Sequence, residues 1–232
     1  MAELIVSLDV VERKKLEEVV ARVGDMVDFF KVGMVPFLQF GTPLIKYLHD
    51  RGKKVFLDLK FHDIPNTVEM ATQIACSMNV AMLNVHLLGG EEMLERAVRA
   101  RDSTGASTLL IGVTLLTSLS RQDILGIGFT RDIQDQIALL AELAYSHRLN
   151  GVVCSIRDLS FLRQKFSRPF LMICPGIRPK TTRDDQKRTG TAGEAVLLGA
   201  DFIVVGRPVI ESSEPEMVVA QLLGEMEEAE NA

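Results

Sequence analysis

Cysteine is scarce in this chain of 232 residues. The three present, Cys76, Cys154 and Cys174, are odd in number, and the last two lie in apolar runs. They spell out no disulfide framework, and reduced core thiols in a cytoplasmic protein are expected. Positive charge is not in excess either. A net charge of −5 leaves no basic field to hold a nucleic-acid backbone, so no nucleic-acid partner is expected. An anionic small molecule stays admissible where cations cluster locally. No apolar run reaches the ~18 residues of a membrane span, so no membrane partner is expected. The opening MAELIVSLDV has an acid at Glu3 and too short an apolar stretch for a signal peptide. There is no GxGxxG or Walker loop, no nucleophile elbow and no Ser–His–Asp order. No Pro- or Gly-rich linker divides the chain, which reads as one domain over residues 1–232.

Apolar material is ample, at 47% of residues, and it comes in short runs. Strands are expected near 4–9, 29–33, 55–60, 81–86, 108–113, 151–155, 170–173 and 202–206. They are rich in Val, Ile, Leu and Phe and hardly alternate, as strands buried on both faces do. Helical patterns fill the gaps at 11–23, 42–51, 67–78, 91–100, 133–148, 158–165, 192–198 and 216–228. In the first of these, Leu16, Val19, Val20 and Val23 share a face, with Arg13, Lys14, Glu17 and Glu18 opposite. Thr191-x-x-Glu194 fits a capping box. Eight strand–helix units predict an α/β chain closed into a parallel (β/α)8 TIM barrel. The longest gap, 115–132, reads as an elaborated loop with a helical turn, and 175–190 as a second irregular stretch. The acidic tail 225–232 is expected to fray.

Barrel chemistry sits at the carboxyl ends of the strands. The polar residues ending these apolar runs are therefore the candidates. Asp9 ends the first run, Lys31 sits in the second, and the third gives Asp58 and Lys60, then Asp63. Asn84 and His86 end the fourth, Thr114 and Thr117 follow the fifth, Arg178 follows the seventh and Gly206-Arg207 the eighth. Alternation along a strand points Asp58 and Lys60 the same way. Three ionisable groups so close are costly to bury unless they pair. An ammonium between two carboxylates is held protonated, which makes it a proton donor rather than a base or a Schiff-base amine. Arg178, Gly206 and Arg207 follow the last two strands, where barrels commonly bind phosphate, and a helix after Arg207 would add its positive end. Gln186 lies in a polar segment that would close over such a group. His62, His86, Asp58 and Asp63 suggest a metal, but their spacing fits no known metal loop and the lysines would compete with a cation. No metal is expected.

These motifs closely resemble those of the orotidine 5'-phosphate decarboxylase family. The resemblance covers nearly the whole chain. It rests on SLD at Asp9, FKVG at Lys31, FLDLKFHDIPNT, NVHLLGG at His86, VTLLTS at Thr117, PGIRP at Arg178, DDQKR at Gln186 and VVGRPV at Arg207. It implies a homodimeric barrel with no metal or organic cofactor, acting on orotidine 5'-phosphate (OMP) to give uridine 5'-phosphate (UMP) and CO2. By resemblance, Lys60 protonates C6, Asp58 lies beside the substrate carboxyl, and Lys31 bridges Asp58 and the ribose. Asp63 and Thr67 would serve the other subunit's site. Asp9 and Thr67 would touch the ribose hydroxyls, Thr117 and Ser120 the pyrimidine, and Arg178, Gln186, Gly206 and Arg207 the phosphate. Leu87-Leu88 and Ile210 depart from the usual residues there, and neither alters a matched charge. Two other readings stay open: a Mg2+-dependent sugar-phosphate enzyme with the same Asp-x-Lys-x-x-Asp pattern, and a silent barrel that only binds a phosphorylated ligand. Lys31 stands where the metal enzyme would be expected to offer an acid.

Overall fold

Strands this uniformly apolar need cover on both faces. In the computed structural model, which describes residues 1–180 and 190–232, they find it by closing on themselves. The strands are β1 (Glu3–Ser7), β2 (Phe29–Gly33), β3 (Lys54–Phe61), β4 (Met82–His86), β5 (Leu109–Val113), β6 (Gly151–Val153), β7 (Leu171–Pro175) and β8 (Phe202–Val205). All pair in parallel in chain order, and β8 returns to β1 to complete a closed (β/α)8 barrel.

The helices among the described residues are α1 (Arg13–Val23), α2 (Met34–Phe40), α3 (Thr42–His49), α4 (Pro65–Ser77), α5 (Glu91–Ser103) and α6 (Arg121–Gly126). They continue with α7 (Ile133–Ser146), α8 (Ile156–Lys165), α9 (Ala192–Leu197), α10 (Arg207–Ile210) and α11 (Pro215–Glu230). Eight of these fill the expected gaps. α1 buries Leu16, Val19, Val20 and Val23, as its period predicts. The Thr191 hydroxyl accepts from the Glu194 N–H and opens α9. α6 is the helical turn expected in the long fifth loop.

Three features differ from the sequence reading. α2 carries Pro36 in its first turn, where the missing N–H costs nothing, so proline there does not break it. α10 is a single turn of 4 residues, not a helix with a useful dipole. The acidic tail does not fray. Glu225 accepts from the backbone of Lys180 and Ala192, and Glu230 from the backbone of Ala2, so α11 is tied down through Glu230.

The core divides in two. Ile5, Phe29, Phe56, Met82, Ile111, Ile173, Phe202 and Val204 form an inner cluster. Alternate residues, such as Val6, Phe30, Leu57 and Leu83, join the larger layer under the helices. This period of two carries the site. One step past Ile5, Phe29, Phe56 and Met82 on the same face stand Ser7, Lys31, Asp58 and Asn84. All four are buried. The barrel floor is apolar, and on β1–β4 the next layer toward the carboxyl ends is polar.

Candidate active site

That polar layer forms one connected chain. The Ser7 hydroxyl donates to Asp9 Oδ2 at 2.6 Å. Lys31 Nζ stands 3.3 Å from Asp9 Oδ2 and 3.0 Å from Asp58 Oδ2. Lys60 Nζ donates to Asp58 Oδ1 at 2.6 Å. Burial works to raise the Asp58 carboxyl, but the Lys31 and Lys60 ammonium groups, with hydrogen bonds from Lys60 and Asn84, outweigh it and hold it below the usual carboxylate value. Asp58 is thus an ionised acid at 10% side-chain exposure, balanced by two cations.

Gly33 makes room for this chain. Its backbone φ of −83° suits any residue. A Cβ there, however, would lie 2.6 Å from Asp9 Oδ1 and 3.1 Å from Lys31 Nζ. Both are tips of flexible side chains, so the fold can give way and the site cannot. Gly33→Ala should keep unfolding stability within about 1 kcal/mol and lower kcat/KM at least about tenfold. Unchanged kcat/KM would contradict the claim that this close approach matters.

Asp58 and Lys60 do meet, but not by regular alternation. Leu57 pairs with Leu83, and Phe61 pairs with Val85, so β3 carries two extra residues over this step of β4. Lys60 takes a φ of +50° inside the bulge. A residue with a Cβ adopts that conformation only when its surroundings impose it. The Lys60 N–H is taken by Asn84 Oδ1 at 2.8 Å.

The arginines expected to hold an anion lie next to the charged chain. Asp9, Lys31 and Asp58 line a cavity of about 300 Å³ together with Arg178, Gly206 and Arg207. A neighbouring cavity of about 800 Å³ is lined by Thr117 and Ser120 and shares Pro175, Gly176 and Arg207 with the first. The charge chemistry lies in the smaller one. Ser120 also caps α6, accepting from the Asp123 N–H while donating to Asp123 Oδ2. The sequence reading gives Ser120 only its ligand role. Gln186 lies outside the described residues.

Asp63 and Thr67 do not join the chain within this protomer. Both are exposed, and Asp63 Oδ1 accepts from the backbone of Ile64 at 2.7 Å. The two carboxylates that bracket Lys60 in sequence therefore do not bracket it within one subunit: Asp58 contacts it and Asp63 does not. His62 stacks on His86 with ring centroids 5.0 Å apart. Burial, with His62 and Lys60 nearby, pushes His86 down to about 4, so its ring is neutral near pH 7. Among the described residues no group of three or more His, Cys, Asp or Glu is placed to hold a metal ion.

Comparison with known proteins matches residues 2–222 to the model of the orotidine 5'-phosphate decarboxylase / HUMPS family. The chain belongs to this family. Similar members include the orotidine 5'-phosphate decarboxylase of Hahella chejuensis, 40% identical over 225 residues and 97% of each chain. That of Carboxydothermus hydrogenoformans is 40% identical, over 97% of this chain and 95% of its own. Among solved structures, the orotidine 5'-phosphate decarboxylase of Lactobacillus acidophilus superimposes with a TM-score of 0.86 at 33% identity, covering 97% of this chain and 99% of its own.

Two residues of this family member's site do not stand out from sequence. Gly33 reads only as part of a motif, and Asn84 only as a polar strand-end residue with no role given to it. For Asn84 a usable signal exists, since a polar residue at a barrel-facing position of an otherwise apolar strand must find partners.

Proposed function

We propose that this chain decarboxylates OMP to UMP and CO2 without a cofactor, through a C6 carbanion that Lys60 stabilises and protonates. The observation that carries the reading is the unbroken Asp9–Lys31–Asp58–Lys60 chain, whose Asp9, Lys31 and Asp58 line a cavity together with Arg178 and Arg207. Loss of CO2 from C6 leaves an electron pair in the plane of the ring, where the π system cannot take it up. A fixed ammonium at that carbon supplies charge stabilisation and a proton together. Asp58 keeps the ammonium in place and repels the substrate carboxylate, a repulsion that vanishes as CO2 becomes neutral. Lys31 bridges Asp58 and the ribose, and we assign Asp9, with Thr67 from the other subunit, to the ribose hydroxyls. Arg178, Gly206, Arg207 and Gln186 are assigned to the phosphate, and Thr117 and Ser120 to the pyrimidine. Lys31 also disfavours the Mg2+-dependent reading, because an ammonium occupies the position such a metal ligand needs.

The assay is the loss of OMP absorbance with EDTA present. Steady turnover supports the reading. No loss of OMP with EDTA or with Mg2+ would contradict it, and turnover of a sugar phosphate on adding Mg2+ would then favour the metal enzyme over the silent barrel.

We also assign a homodimer with shared sites. Exposed apolar residues stand on the two segments that follow β2 and β3, with Met34, Val35 and Leu38 on α2, Ile64 just before α4, and Met70 and Ile74 on α4. β2 and β3 are neighbours in the barrel, and exposed apolar residues on the helices after both suit a partner surface. In a twofold dimer Asp63 and Thr67 would then reach the other subunit's cavity. Mixing Lys60→Ala and Asp63→Ala chains tests this. Each heterodimer holds one site with both groups intact, so purified heterodimer should show about half the activity of wild type and a random equimolar mixture about a quarter. No recovery in verified heterodimers counts against the shared site. The buried free thiols suit the reducing cytoplasm, where we locate the reaction.

A further inference from the structure

Asn84 lies on the inner face of β4 with no exposed surface. Its carboxamide makes two hydrogen bonds of opposite sense. Oδ1 accepts from the Lys60 backbone N–H at 2.8 Å, and Nδ2 donates to Asp58 Oδ1 at 2.7 Å. The orientation of the amide is fixed by these partners, since an N–H needs an acceptor and a carboxylate needs a donor.

The two bonds act on the two ends of Lys60. The first holds its main chain inside the bulge, where the β3–β4 ladder skips from Leu57 to Phe61 and φ at Lys60 is +50°. The second holds its acid partner. Asp58 Oδ1 receives both Asn84 Nδ2 and Lys60 Nζ, and Oδ2 is left to Lys31. Rotation of the Asp58 carboxylate is thereby fixed, and with it the place of the ammonium. Lys60 itself has 36% of its side chain exposed, so little packing restrains it. Its position depends on these polar ties.

We propose that Asn84 is the positioning residue of the Lys60 ammonium, holding the lysine's main chain in its left-handed kink and its carboxylate partner in one orientation. This rests on the reading of Lys60 as the proton donor to C6. An apolar side chain of similar size would supply neither bond. An aspartate would supply the acceptor to the Lys60 N–H but turn a carboxylate toward Asp58.

The experiment measures kcat, KM, UMP affinity and pH profile for wild type, Asn84→Leu and Asn84→Asp. Asn84→Leu should lose about a hundredfold in kcat, as a misplaced reacting group does, with UMP affinity within about threefold of wild type. Asn84→Asp carries the sharper readout. Its new carboxyl must share a proton with Asp58, which raises one of the pair. With that proton present the introduced carboxyl can donate to Asp58 as the amide did, so the variant should work best in acid. Its kcat should fall as the proton is lost, a limb at lower pH than any alkaline limb of wild type. A merely structural role predicts no such limb. If Asn84→Leu fails to fold, the Asn84→Asp profile decides alone. Wild-type values of kcat and an unaltered pH profile in the variants would overturn the positioning role while leaving Lys60 as donor. Wild-type protein inert toward OMP would overturn both, and so tells the two failures apart.

Discussion

Lys60→Ala should lose at least about ten-thousandfold in kcat if, as proposed, it removes a general acid and the charge facing the carbanion at one stroke. The first effect is worth about 10²–10⁴ in rate and the second about 10²–10³. Ground-state binding should survive. The carboxylate that holds Lys60 also pairs with Lys31, and the cavity rimmed by Arg178 and Arg207 is untouched. UMP should therefore bind Lys60→Ala within about tenfold of wild type. Asp58 keeps its Asn84 and Lys31 partners in this variant, so it is not left as a bare buried charge. Steady-state turnover and UMP titration, run on the same preparation, check both halves. Turnover near wild type would remove Lys60 from the proton-donor role. Collapse of UMP binding together with turnover would mean that the lysine serves the site's architecture instead.

The second large effect concerns the phosphate, which is remote from the bond that breaks. Orotidine without its phosphate should lose kcat as well as affinity. On the proposed assignment, binding energy at Arg178 and Arg207 would offset the crowding of the substrate carboxylate against Asp58, and the truncated substrate would lack that offset. Arg207→Ala removes one charge-assisted contact worth about 1.5–3 kcal/mol. Its kcat/KM for OMP should fall by about 10–150-fold. For orotidine the same substitution should change kcat/KM by less than about threefold. Comparing the two substrates in one variant isolates the phosphate contact. An equal loss on both would place Arg207 elsewhere, and equal turnover of OMP and orotidine by wild type would remove the role given to remote binding.

How far the sequence reveals this protein depends on whether the controlling force is local. The eight strands are legible because their burial on both faces leaves continuous apolar runs, and the barrel follows from their alternation with amphipathic helices such as α1. Lys31 and Asp58 stand out because charges in those runs cannot be accidental. Other features are set by contacts distant in the chain. The bulge at Lys60 follows from how β3 registers against β4, and strict alternation along β3 gives the right meeting of Asp58 and Lys60 for a reason the ladder does not share. Asn84 acts on residues 24 and 26 positions away. Gly33 matters only because Asp9, from a different strand end, lies where its Cβ would be. The acidic tail reads as frayed until Glu225 and Glu230 find backbone donors at Ala192 and Ala2. α2 is obscured by Pro36, which local rules penalise except in the first turn.

The central claim is that the Lys60 ammonium exchanges a proton with C6 of a phosphate-anchored pyrimidine. Reversibility makes it measurable without any substrate carboxylate. UMP incubated with the protein in D2O should gain deuterium at C6, read by NMR, and Lys60→Ala should abolish that gain while still binding UMP. Exchange at C6 that proceeds equally well in Lys60→Ala would contradict the account.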